Sequence, residues 1–167
     1  MIALIFLLIC LQSFGACVGA FAAIWGEVVY ILATRDGKID KAERAHIKAI
    51  GHGLRFGMSL LLLASLALVI VDYTLQVMLQ PALTASYWSF IVLAVIAIVV
   101  SWLLAHKKIS FIAGSAISIS AWLFMVYLAL GLLQVTSFIS VIAMFVVLVV
   151  VFYAVIYYVR LLASHKK

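Results

Sequence analysis

The chain has 167 residues, of which 69% are hydrophobic and 10% are charged, and its mean hydropathy is +1.39. Water-soluble domains are about half apolar and about a quarter charged, so this composition excludes a soluble domain, a disordered chain and a disulfide-linked scaffold. The formal net charge is +6, but the basic residues are too few and too grouped to indicate a nucleic-acid partner. The sequence therefore predicts an integral membrane protein surrounded by membrane lipids.

Five apolar segments are long enough to cross a bilayer, because a transmembrane helix needs about 20 apolar residues for about 30 Å of hydrocarbon. The breaks between them contain charged residues or turn-forming residues such as Pro81 and Gly131. Apolar and polar residues do not alternate with a period of two, so we expect α-helices and no β-barrel. The prediction is an all-α bundle forming one membrane domain, with five spans at about 2–33, 54–78, 87–105, 109–133 and 138–162.

All eleven lysine and arginine residues fall on one side of this five-span topology. They are Arg35, Lys38, Lys41, Arg44, Lys48, Arg55, Lys107, Lys108, Arg160, Lys166 and Lys167. The positive-inside rule predicts that this side is cytoplasmic, with the N-terminus outside and the C-terminus inside. Four or six spans would place basic residues on both sides, so the charge distribution favours five. We expect the chain in the cytoplasmic membrane of a bacterium or archaeon.

Small residues recur along one face of the first span. Gly15, Gly19 and Ala23 are spaced by four, a pattern that lets two helix backbones approach closely. A similar face in the fourth span contains Gly114 and Ser118. Both faces predict close helix packing, and we expect the face of the first span to meet another membrane subunit or a second copy of the chain.

Glu27 continues the small-residue face of the first span. Counted from Arg35 at 1.5 Å per residue, it lies about 12 Å inside the membrane, where an acidic side chain costs a few kcal/mol unless it faces protein or water. Glu27 is therefore the candidate ion-linked residue of a translocation path. The alternatives are a protonated glutamate, a glutamate paired with Arg55 or Arg160 that holds helices together, or a contact with a partner subunit.

The segment between the first two spans contains Asp40 and Glu43, which fit a helix-capping box. This predicts a short amphipathic cytoplasmic helix over about 41–50, ended by Gly51 and Gly53. Asp72, the second acidic residue inside a span, falls near the outer end of the second span, and we assign it to the outer membrane interface.

His52 and His106 fall at the cytoplasmic ends of the second and third spans. Two such histidines could ligate a b-type haem between the helices, with Arg55 near its propionates. Transmembrane haem ligands usually lie deeper, so we predict no cofactor and keep haem b as an alternative. The sequence contains no cluster with the spacing of a metal site.

No nucleophile elbow, phosphate loop or zinc-protease motif occurs, so the sequence favours a non-enzymatic protein without deciding the question. The first interpretation is a small integral membrane protein that acts as a subunit or assembly partner in a membrane complex. The first alternative is a proton- or cation-coupled transport or permeation protein that uses Glu27. The second is a haem-bearing electron-transfer subunit that uses His52 and His106.

Overall fold

The computed structural model describes residues 2–35, 41–75, 84–133 and 137–165. In these ranges the chain forms five α-helices and no strand: α1 (Ile2–Arg35), α2 (Lys41–Thr74), α3 (Ala85–Ala105), α4 (Phe111–Ala129) and α5 (Phe138–His165). Each helix is long and apolar enough to cross a membrane. The all-helical fold and the number of candidate spans predicted from the sequence are therefore confirmed.

Consecutive helices run in opposite directions, so the bundle has two distinct ends. One end holds the C-terminal part of α1 and the N-terminal part of α2, and the lysines and arginines of the described helices and turns lie in this half. We call it the basic end. The opposite end, where α1 begins and α2 finishes, carries no lysine or arginine in the described residues, and we call it the far end.

The predicted short helix over 41–50 is not separate, because α2 runs without a break from Lys41 to Thr74. The prediction that a helix ends at Gly51 and Gly53 was therefore wrong. A glycine inside a helix costs about 1 kcal/mol relative to alanine, but it keeps its backbone hydrogen bond and does not by itself end the helix. Asp40, the predicted cap, lies outside the described residues.

The helices differ in how much of their surface the bundle covers. α4 is central, since it packs against α1, α3 and α5, and most of its length is buried. α5 lies at the side of the bundle, where it packs mainly on α4 and leaves most of its apolar surface uncovered. The most extensive helix pair is α1 with α2.

A close-packed layer of five residues crosses the middle of the bundle, and we call it the central layer: Gly15, Gly19, Gly57, Leu61 and Trp122. A Cβ atom added to Gly15 would lie 2.9 Å from the carbonyl oxygen of Gly57 and 2.9 Å from the amide nitrogen of Leu61. One added to Gly19 would overlap the indole ring of Trp122, which is 2% exposed. The central layer therefore joins α1, α2 and α4 at a point where larger side chains have no room.

Candidate functional site

Glu27 is buried at the basic end and pairs with an arginine from the last helix. Its side chain is 7% exposed, and Oε1 accepts hydrogen bonds from Nε of Arg160 at 2.8 Å and from Nη2 at 2.5 Å. Of the two arginines that the sequence offered as partners, the structure thus selects Arg160 rather than Arg55. α5 packs mainly on α4, and this ion pair gives it a polar link to α1.

The guanidinium of Arg160 lies beside two stacked aromatic rings. Its central carbon lies 5.0 Å from the centre of the Tyr30 ring and 5.1 Å from that of Phe111, within the range of a cation–π contact. The two rings stack on each other with their centres 3.7 Å apart. Arg160 is therefore held both by the carboxylate and by an aromatic pair contributed by α1 and α4.

The second carboxylate oxygen of Glu27, Oε2, is buried and has no hydrogen-bond partner in the described part of the chain. Such an oxygen is unfavourable, because it has lost its water without gaining a donor. Glu27 also lines a cavity of about 360 Å³ between α1, α2, α3 and α4, which we call the basic-end cavity. Its remaining polar lining consists of Tyr30, Ser101, Ser115 and Ser118, and the rest is small or aliphatic apart from the ring of Phe111. A ligand that donates a hydrogen bond to Oε2 would satisfy this oxygen.

A second cavity of about 410 Å³, the far-end cavity, lies at the opposite end of the bundle between the same four helices. Asp72 lines it and is only 9% exposed, so the side chain lies inside the bundle at the end where the sequence placed it. In its wall, Gln12 donates a hydrogen bond of 3.0 Å to the hydroxyl of Ser65, which donates one of 2.7 Å to the carbonyl of Leu61. This polar chain ends at the central layer, which separates the two cavities.

The small residues predicted for helix packing lie within the bundle. Gly15 and Gly19 contact α2 and α4, and a Cβ added to Gly114 would overlap the side chain of Leu104 on α3. Ala23 and Ser118 line the basic-end cavity beside Glu27. The face of α1 that we expected to meet another subunit is thus covered by helices of the same chain.

The proposed haem ligands lie at the basic end, and both are exposed. Nδ1 of His52 donates a 2.8 Å hydrogen bond to the carbonyl of Lys48, and Nδ1 of His106 donates one of 2.9 Å to that of Trp102. Neither histidine lines the basic-end or the far-end cavity. Arg55, the proposed propionate partner, lines a third cavity with Met58 but without either histidine.

Two features of the site were missed in the sequence. Gly57 takes part in the closest backbone contact, and its spacing of four from Gly53 in α2 repeats the Gly15/Gly19 spacing of α1, so the same rule could have found it. No sequence pattern predicted the burial of Asp72. Its position along α2 places it near the end of the span, but that position does not tell whether the side chain faces the bundle or the membrane interface.

Comparison with protein-family models, with curated proteins and with solved structures gives no match to this chain.

Proposed function

We propose that the protein is a small membrane transport protein for protons or monovalent cations, with Glu27 as the ion-linked residue. The observation that carries this proposal is the state of the Glu27 carboxylate. One oxygen is neutralised by Arg160, while the other is buried without a hydrogen-bond partner in the described residues, and Glu27 lines a cavity. This group has unused capacity to accept a proton or a cation.

The ion pair provides a physical route from ion binding to a change of shape. A carboxylate that has taken up a proton or a cation no longer attracts the guanidinium of Arg160. The arginine then keeps only its contacts with the rings of Tyr30 and Phe111, and a buried cation without its counter-ion is unfavourable. We expect Arg160 to move towards water at the basic end and to loosen the link between α5 and α1.

The two cavities fit a transport cycle in which access alternates between the ends. Each cavity contains one buried acidic residue, and the central layer closes the space between them. If the basic end is cytoplasmic, as the positive-inside rule predicts, the basic-end cavity serves the cytoplasm and the far-end cavity serves the outside. The interpretation as a subunit of a larger complex relied on the small-residue face of α1, on the small mass outside the membrane and on the absence of recognisable catalytic motifs. The first ground is weakened because α2 and α4 cover that face, and the subunit role stays an untested alternative.

The test is ion flux into liposomes that contain the purified protein and a trapped dye that responds to protons, to Na⁺ or to K⁺, according to the gradient applied. Under an imposed pH gradient, and separately under Na⁺ and K⁺ gradients, we expect the wild type to exceed protein-free liposomes for at least one ion. Glu27→Gln should return that flux to the protein-free level. Glu43→Gln is the matched control. It makes the same chemical change as Glu27→Gln, but at a residue outside the apolar span Ala45–Thr74. Flux equal to protein-free liposomes, or flux unaffected by Glu27→Gln, would contradict the proposal.

A further inference from the structure

The far-end cavity contains a buried acidic residue, Asp72, and the described residues of the surrounding half of the bundle include no lysine or arginine. The sequence has no lysine or arginine in residues 1–34, 56–106 or 109–159, so the far half of the bundle lacks any basic side chain that could pair with Asp72. The carboxylate is nevertheless largely buried, at 9% exposure. An acidic group inside a membrane protein is stable when it meets a counter-ion or water, and none of the described residues of the far half can supply the counter-ion.

The lining of the far-end cavity indicates the kind of cation that would fit. Tyr87 and Phe90 contribute aromatic rings, and Gln12 and Ser65 contribute polar groups on the side of α1 and α2. Most of the remaining surface is aliphatic. Aromatic rings attract organic cations through cation–π contacts, and a volume of about 410 Å³ is within the usual range of about 300–1,000 Å³ for small-molecule sites.

A bare metal ion fits this cavity less well than an organic cation. In the described residues, no group of three or more histidine, cysteine or acidic side chains converges at this or any other place. Metal cations such as Ca²⁺ take six or more oxygen ligands, whereas an ammonium group needs only three acceptors. One carboxylate, neighbouring polar groups and an apolar wall match an ammonium group attached to an apolar body.

We infer that the far-end cavity binds a small organic ammonium ion, with the carboxylate of Asp72 as its counter-ion and the rings of Tyr87 and Phe90 beside its apolar part. This inference rests on the proposed function in one respect, namely that the bound ammonium ion would be the cation that the protein transports. Binding at Asp72 can be measured without transport, so the two ideas can fail separately.

The binding test uses 2-phenylethylammonium chloride as the probe, with isothermal titration calorimetry on the full chain in detergent. We expect saturable binding to the wild type, about tenfold or more weaker binding to Asp72→Asn, and retained binding to Asp72→Glu and to the control Glu43→Gln. The neutral analogue 2-phenylethanol controls for partition into the micelle and should bind about tenfold or more weakly than the ammonium probe. No saturable binding, equal binding to Asp72→Asn, or equal binding of the neutral analogue would overturn the inference.

A second measurement on the wild type avoids any dependence on variant folding. Dicyclohexylcarbodiimide modifies carboxyl groups in apolar surroundings, and mass spectrometry locates the modified residue. We expect 2-phenylethylammonium to slow the labelling of Asp72 and to leave the labelling of Glu27 unchanged. If the probe protects Glu27 and not Asp72, the ammonium site belongs to the basic-end cavity and the inference is wrong.

Flux then separates this inference from the proposed function. Uptake of 2-phenylethylammonium into liposomes, abolished by Asp72→Asn and by Glu27→Gln, supports both ideas together. Binding at Asp72 without flux of the probe, protons, Na⁺ or K⁺ keeps the ammonium site and rejects transport. Proton, Na⁺ or K⁺ flux that depends on Glu27, without binding of the probe, rejects the ammonium site and keeps the proposed function.

Discussion

The two acidic residues inside the bundle have the same burial and opposite electrostatic surroundings. Glu27 is 7% exposed and Asp72 is 9% exposed, and each lines a cavity at its own end of the molecule. Glu27 meets Arg160, whereas the half of the bundle around Asp72 contains no lysine or arginine. Burial therefore does not distinguish the two carboxylates, and the location of the basic residues does.

This difference suggests how charge placement divides the roles of acidic residues in small membrane proteins. Basic residues concentrate on the side that the positive-inside rule makes cytoplasmic. An acidic residue in that half can find its counter-ion within the chain and can link helices. An acidic residue in the other half depends on water or on a ligand, so its location alone makes it a candidate for binding.

The largest effect on stability is expected from Arg160→Gln. The substitution leaves the Glu27 carboxylate buried without its counter-ion, which costs about 3–5 kcal/mol in proteins where one partner of a buried pair is removed. Asp72→Asn should instead leave the free energy of unfolding unchanged or slightly higher, because it removes a buried charge that has no basic partner. The two changes can be compared by reversible unfolding of the purified protein in mixed micelles.

The double variant Glu27→Gln/Arg160→Gln tests whether this loss arises from the unpaired carboxylate. It should recover most of the stability that Arg160→Gln loses, since neither charge remains buried alone. A double variant as unstable as Arg160→Gln would show that the arginine acts mainly through its contacts with Tyr30 and Phe111. The contrast between the two ends would then lose its electrostatic basis.

An intermediate effect is expected in the central layer, which keeps the two carboxylates in separate cavities. In Gly15→Ala, the new methyl group lies 2.9 Å from backbone atoms of Gly57 and Leu61, which cannot move without shifting α2. Overpacking of this kind costs about 1–3 kcal/mol. Gly19→Ala should cost at least as much, because the methyl group meets the buried ring of Trp122. The same unfolding assay measures both.

Gly51→Ala is the matched control, since a Cβ atom there meets nothing within 4 Å. Alanine is favoured over glycine in a helix, so this variant should be more stable than the wild type by about 0.5–1 kcal/mol. If Gly15→Ala is as stable as Gly51→Ala, then α1 and α2 are not in backbone contact. The cavities would then not be separated by a rigid layer.

The parts of this structure that follow from bilayer thickness and helix geometry could be predicted from the sequence. The five spans are of this kind, and depth along the helix reduced the candidate basic partners of Glu27 to Arg55 and Arg160. The choice between them required the position of α5 relative to α1, which no local pattern encodes. The orientation of the termini stays a prediction from the basic residues.

The features that sequence analysis missed depend on what faces a residue, not on where it lies along its helix. Asp72 is buried in a cavity that it shares with residues of α1, α3 and α4, and the height of the residue along α2 does not reveal this. Gly51 and Gly53 were interpreted as a helix end, although the helix continues through them. The face of Gly15 and Gly19 was correctly recognised as able to pack closely, but the pattern does not say that its neighbour belongs to the same chain.

The smallest expected effects come from two buried serines, Ser65 and Ser120. Within the described residues one is hydrogen-bonded and the other is not, just as one carboxylate has a basic partner and the other has none. Ser65, at the far-end cavity, accepts a hydrogen bond from Gln12 and donates one to the carbonyl of Leu61, so Ser65→Ala should cost about 0.5–1.5 kcal/mol. Ser120 is 0% exposed, and its hydroxyl has no partner in the described residues, so Ser120→Ala should be neutral or stabilising by about 1 kcal/mol. Unfolding measured side by side should show a loss of stability for Ser65→Ala and no loss for Ser120→Ala. A loss of equal size in both variants would mean that the Ser120 hydroxyl has a hydrogen-bond partner such as water. Oε2 of Glu27, the other buried atom without a partner in the described residues, could then also be bonded to water.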